Sequence, residues 1–158
     1  MITIGIDPGL SGAIGVLRDG VYVAVLDMPT VAKGSGVVKN EVDPAGLAAL
    51  LRQHAPAEEA VAVALERVNA MPGQGSSSIF SLGDSFGCAR AVVAACRLEL
   101  TYMTPAQWKK HFKLTSDKEL CRALAVRMFP EAPLNLKKHA DRAEALLMAR
   151  WLYEVRYK

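Results

Sequence analysis

The 158 residues contain only three cysteines, Cys88, Cys96 and Cys121, and no C-x-x-C pair among them. Disulfide scaffolds and structural zinc sites need paired or closely spaced cysteines, so both are excluded. The three thiols read as small packing residues in a reducing compartment. Aromatic residues make up 6% and charged residues 22%, against an apolar share of 51%, which is a globular balance and not a disordered one. No apolar run approaches the roughly 18 residues of a membrane span, and no basic stretch precedes a short apolar core as in a secretory signal. The expectation is a cytoplasmic chain. Two phosphate-binding fingerprints are missing as well: Gly5, Gly9 and Gly12 do not fit G-x-G-x-x-G, and no G-x-x-x-x-G-K-[ST] occurs. Length, with no internal repeat and no linker, points to a single domain over 1–158.

The charge is unevenly distributed. Net charge is +3, yet residues 101–140 carry eight Lys/Arg against three acids, a net +5 that leaves −2 for the rest. Such a stretch is either a polyanion-binding face or solvated surface, and composition does not choose between them.

Ile2, Ile4 and Ile6 alternate with Thr3, Gly5 and Asp7, the period of a strand. Gly12 to Leu17 and Val21 to Leu26 continue as strands, joined at the hairpin signal Asp19-Gly20. The Pro, Gly and Ser content from Met28 to Asn40 predicts a loop. Asp43-Pro44 opens a helix with Leu47, Leu50 and Leu51 on one side. Val61 to Glu66 is a fourth strand, and a Gly/Ser-rich loop leads to a helix from about Ile79 to Ala95. Leu98 to Met103 is the fifth strand. Thr104-Pro105 caps a short basic helix carrying Trp108, Thr115-Ser116-Asp117 caps another that ends at Met128, and the last spans about His139 to Tyr157. The class is α/β: a five-stranded mixed sheet, an antiparallel meander followed by β-α-β crossovers, flanked by helices.

Asp7 and Glu66 each close an apolar strand and lie on the face carrying small residues, Thr3 and Gly5 in one, Ala62 and Ala64 in the other. Small side chains there would let a helix approach closely. In adjacent parallel strands both carboxylates would emerge at the carboxyl end, where α/β sheets bind ligands. The last helix has an apolar stripe through Ala145, Met148, Trp151/Leu152 and Val155, and one turn back it reaches Asp141 and Glu144, at i and i+3 on the packing face. Four converging carboxylates repel one another unless a hard divalent cation is present, and two such cations can clamp a phosphodiester during in-line attack. Each acid also has a plainer reading: Asp7 as a turn cap, Glu66 as a solvated strand end, Asp141 and Glu144 as favourable charges at a helix N-terminus. Their combination is what favours a metal site. Trp108 beside Lys109 and Lys110 would either stack on a base or pack beneath the sheet. His139 would either tune the acids or stand apart from them.

Gly5-Ile6-Asp7-Pro8-Gly9, the strand end Leu65-Glu66 and the run Asp141-Arg142-Ala143-Glu144-Ala145-Leu146 together resemble the RuvC family of Holliday-junction resolvases. The resemblance covers nearly the whole chain, and the Asp-Arg-Ala-Glu-Ala-Leu-Leu variant is similar to that of bacteriophage and prophage members. It implies a ribonuclease H-like fold and a homodimer in the cytoplasm of a bacterium or phage-infected host. The implied activity, in DNA recombination and repair, is symmetric nicking of four-way junctions to leave 5′-phosphate and 3′-hydroxyl ends. It also implies two Mg²⁺ per site, with Mn²⁺ an alternative, held by Asp7, Glu66, Asp141 and Glu144. By the same resemblance Lys109 and Lys118 grip DNA, and the helix from about Ile79 to Ala95, through Phe80, Leu82, Phe86 and Ala89/Ala91, forms the dimer interface. Lys110 and Lys113, in the basic stretch, and Asn69 complete the expected DNA-contacting set. Two positions depart from the family: Glu144 stands where cellular members usually have Asp, and Asn69 where they carry an aromatic. A broader branched-DNA or fork nuclease, an actin-like nucleotide-binding protein and an inactive DNA-binding module are the alternatives.

Overall fold

The alternating N-terminal segment forms β1 (Ile2–Ile6), buried on both faces in the computed structural model, which describes residues 1–158. β2 (Ala13–Arg18) pairs antiparallel with it, Ile4 opposite Val16 and Ile6 opposite Ile14, and β3 (Val21–Asp27) pairs antiparallel with β2. Asp19 and Gly20 turn the chain between them with φ of 50° and 77°, the positive values a two-residue hairpin needs. Next come β4 (Thr30–Ala32), β5 (Asn40–Val42), α1 (Pro44–Gln53), β6 (Val61–Glu66), α2 (Ser76–Ala95) and β7 (Glu99–Met103). The five-stranded sheet has the order β3-β2-β1-β6-β7, with β6 parallel to both β1 and β7. The chain then supplies α3 (Pro105–His111), α4 (Lys118–Met128), a single 3-10 turn at Lys137–His139, and α5 (Ala140–Tyr157). No helix is long and apolar enough to cross a membrane.

The sheet's two faces build two apolar layers. Ile2, Ile4, Ile6, Ile14, Val63 and Leu65 pack with Leu47 and Leu51 of α1 and Ala89, Val92 and Val93 of α2. On the other face Ala62, Ala64 and Met103 meet Trp108 of α3, Cys121 and Ala125 of α4, and Leu146, Met148, Ala149 and Leu152 of α5. Here the small residues have their effect. A Cβ on Gly5 would lie 2.1 Å from the Ala145 carbonyl oxygen, and one on Gly15 would lie 2.6 Å from the Leu146 nitrogen. Only glycine lets α5 rest this close to β1 and β2, and that depth brings the first turn of α5 to the strand ends. The caps expected from sequence form: Asp43 accepts from the Ala45 N–H, Asp117 from the Glu119 N–H, and Thr104 and Gln107 make a reciprocal capping box. The three cysteines are unpaired.

The structure departs from the sequence reading in four places. The segment read as a loop from Met28 to Asn40 contains the β4–β5 ribbon, with Thr30 opposite Val42 and Ala32 opposite Asn40. Its three-residue strands are too short to show a period, and Val42 anchors the ribbon in the core. α2 starts at Ser76, three residues before Ile79, because the Gly75 carbonyl accepts from both the Ser78 and Ile79 N–H groups. Val155, assigned to the buried stripe of α5, is 48% exposed. Beside it Glu154 and Arg156 pair with His111 and Glu99, so the end of α5 has left the apolar layer. The proposed dimer face is also divided. Ala89 is buried against the sheet and Phe86 is tilted against Tyr102, while Phe80 is exposed. The outward side of α2 therefore carries Phe80, Gly83, Asp84, Arg90 and Ala91, with Gly87 half-buried between them.

Candidate metal centre

β1 and β6 run parallel with Ile6 beside Leu65, so Asp7, one residue past β1, and Glu66, the last of β6, leave the sheet side by side. The chain turns sharply after Asp7. The Gly9 N–H donates to Asp7 Oδ1 at 3.3 Å, and the Gly12 N–H closes onto the Gly9 carbonyl at 2.9 Å. A Cβ on Gly12 would sit 2.2 Å from the Asp7 carbonyl oxygen, so this turn requires glycine. From the opposite side α5 contributes Asp141 and Glu144. Arg142, between them in sequence, holds Asp27, at the end of β3, through two bonds of 2.6 and 2.7 Å. That fork pins the start of α5 to the sheet.

Asp7, Asp141 and Glu144 bring ligand oxygens within 4.8 Å of one another. Glu66 is beside this trio but not in it: its Oε1 accepts a 2.9 Å hydrogen bond from Trp108 Nε1. Burial, then the neighbouring charge of Glu66, push the Asp7 pKa up to about 7, with Asp141 and Glu144 adding to the shift and the Gly9 N–H opposing it. Burial also raises Glu66, against the lowering effect of its Trp108 bond. The donors are all carboxylate oxygen, the set preferred by Mg²⁺ and Mn²⁺ over softer metals. Glu144 is 7% exposed, and its Oε1 makes no hydrogen bond. A crowded carboxylate cluster that includes a buried oxygen accepting no hydrogen bond fits a divalent cation.

Lys109 Nζ lies 3.2 Å from Glu144 Oε1, without hydrogen-bonding geometry; Lys118 Nζ is 2.5 Å from Asp141 Oδ1 and 3.7 Å from Glu144 Oε2. Burial works against the Lys118 charge, but the Asp141 bond and the Glu144 charge more than compensate and raise its pKa. Both lysines therefore stand at the acids themselves. Lys110 and Lys113 are exposed and line, with Pro105, Thr115 and Ser116, an open cleft of about 570 Å³ next to Lys109. Asn69 is exposed in the loop after β6. Trp108 is wholly buried, which removes the base-stacking alternative. His139 is buried apart from the trio, where its Nδ1 accepts from the Leu136 N–H at 3.3 Å. Burial, with Arg142 and Lys138, lowers its pKa. The Trp108–Glu66 bond and the Arg142–Asp27 fork join residues 42 and 115 positions apart, and nothing in local sequence signals either.

The order of the strands, the flanking helices and the carboxylates at the strand ends define a ribonuclease H-like fold with an acidic centre. Among solved structures the chain is similar to Thermus thermophilus RuvC, with a TM-score of 0.60, 18% identity, and 99% of this chain and 96% of that chain covered. It is similar also to T. thermophilus RuvC in complex with a Holliday junction substrate, with a TM-score of 0.63, 19% identity, and 99% and 95% covered. No protein-family model matches the sequence, and no curated protein does. The resemblance read from sequence thus holds at the level of the fold, over nearly the full length of both chains.

Proposed function

We propose that this chain is a metal-dependent endonuclease that resolves four-way DNA junctions, one catalytic domain over 1–158 acting as a homodimer. The observation that carries the reading is the convergence of Asp7, Asp141 and Glu144 within 4.8 Å, on a fold shared with a RuvC solved on a Holliday junction. Asp7, Asp141 and Glu144, with Glu66 alongside Asp7, would hold Mg²⁺ or Mn²⁺. When bound there, two such ions would provide water activation for in-line attack and charge neutralisation at the leaving 3′ oxygen. Lys118 and Lys109, at the mouth of this cluster, balance its negative charge and exchange carboxylate for phosphate when DNA enters. Lys110 and Lys113 extend the positive surface along the adjacent cleft, where the strand backbone would lie. Asn69, three residues beyond Glu66, offers hydrogen bonds to DNA but no ring to wedge between bases. That favours a second reading, broader action on forks and other branches.

Dimerisation is supported by the outward stripe of α2. A Cβ at Gly83 or Gly87 would meet nothing within 4 Å, so neither glycine serves the packing of one chain. Each weakens the helix by roughly 1 kcal/mol relative to alanine. Two glycines one turn apart would let a second copy of α2 approach closely, and C₂ symmetry would set two centres against opposed strands. The test is a labelled four-way junction, a fork and a linear duplex, each incubated with Mg²⁺ or EDTA. Paired nicks in the junction with 5′-phosphate ends, dependent on Mg²⁺, are expected. Equal cutting of junction and fork favours the second reading, and no cutting of any branch refutes both.

A further inference from the structure

Trp108 is the largest of the fully buried side chains, yet it sits on the seven-residue α3, among Lys109, Lys110 and His111. A buried indole N–H needs an acceptor. This one uses a carboxylate of the acidic centre, Glu66 Oε1 at 2.9 Å, and it is the sole hydrogen bond that the Glu66 side chain makes. The two partners differ in rigidity. α3 is fixed by Pro105 in its first turn, by the Thr104–Gln107 capping box, and by the Trp108 ring itself, which belongs to the apolar layer between sheet, α4 and α5. Glu66 stands at the end of a strand on a long side chain that no other hydrogen bond holds. One residue further along α3, Lys109 reaches Glu144, so adjacent residues of one short helix address acids from β6 and from α5.

We propose that Trp108 is a positioning residue for the metal centre: its indole N–H holds Glu66 Oε1, fixing the side-chain rotamer and leaving Oε2 as the single oxygen offered to a divalent cation. This inference rests on the metal-dependent reading above. Residues that orient a ligand through a second hydrogen bond change metal affinity when removed, typically by 10–100-fold. A tryptophan that merely packs would change stability and leave metal binding untouched.

The experiment is Mn²⁺ binding to the intact protein without DNA, followed by electron paramagnetic resonance. Trp108→Phe keeps an apolar ring and removes the N–H. Its affinity for Mn²⁺ should fall about tenfold, and excess Mn²⁺ should restore junction cleavage towards the wild-type rate. In a Glu66→Gln background the same change should have no further effect, since the group it acts through has lost its charge. If the smaller ring unfolds the protein, benzothienylalanine placed at position 108 keeps the indole shape with sulfur for N–H and should show the same loss. Unchanged Mn²⁺ affinity in both variants overturns the proposal, as does an equal loss with Gln at position 66. Junction cleavage by a wild type whose Trp108 variants bind Mn²⁺ normally sinks this inference alone. A wild type that binds no Mn²⁺ removes the metal centre and the inference together.

Discussion

Asp7→Asn should stabilise the metal-free protein, and only above acidic pH. Asp7 has an ordinary value of 3.8 and is raised to about 7 by burial and by Glu66. Below the unfolded value both states carry the proton, and the residue has no influence on stability. Between about 4 and 7 the unfolded chain releases the proton while the folded chain keeps it, so stability falls as pH rises. The fall is about 1.4 kcal/mol per unit. Over the three units spanned it reaches at most about 4 kcal/mol by pH 8, or roughly 10 °C in Tm for a chain of this size. Asparagine is nearly isosteric and cannot ionise, so the variant lacks this penalty. The assay is thermal unfolding of both proteins in EDTA at pH 4, 6 and 8. The curves should converge at pH 4 and separate progressively, the variant melting higher, with Mg²⁺ at pH 8 closing the gap by stabilising the wild type alone. A variant no more stable than wild type at pH 8 refutes the assignment of Asp7 to a crowded acidic centre.

Three further outcomes are expected. Replacing Lys110 and Lys113 together with alanine should lower the slope of log K against log salt for junction binding by about 1.8, two duplex contacts at about 0.9 each; an unchanged slope in Ca²⁺ removes their cleft from the DNA face. Gly83→Arg with Gly87→Arg should leave the melting temperature within a few degrees of wild type but give a monomer by light scattering, whereas a wild type already monomeric counts against the homodimer. Gly5→Ala should destabilise by about 3 kcal/mol or more, because its Cβ would collide with the Ala145 carbonyl beneath α5; urea denaturation measures it, and a loss under 1 kcal/mol would mean that α5 can move away freely.

Much of this arrangement is legible because two periods coincide. The alternation Ile2, Ile4, Ile6 assigns β1, and the residues between, Thr3 and Gly5, mark the face on which a helix lies close. Ala62 and Ala64 say the same of β6, and parallel pairing then sets Asp7 beside Glu66. The i, i+3 spacing of Asp141 and Glu144 on the inner face of α5 completes the trio. What the sequence conceals is contact between distant segments. It cannot show that Lys109 and Lys118 turn inward to the acids, that Glu66 is bound by Trp108, or that Arg142 clasps Asp27. The β4–β5 ribbon is hidden for another reason: it is held by three residue pairs and the Val42 anchor, with no amphipathic period.

What these carboxylates do together is hold divalent cations. Diffraction at the manganese absorption edge, from crystals of the wild-type protein grown with MnCl₂, tests it most directly. An anomalous peak is expected within coordination distance, roughly 2.0–2.6 Å, of carboxylate oxygens of Asp7, Asp141 and Glu144, with Lys118 Nζ moved off Asp141. Clear density for the four acids with Lys118 still on Asp141 and no anomalous peak between them, at Mn²⁺ concentrations that occupy other sites in the crystal, would contradict it.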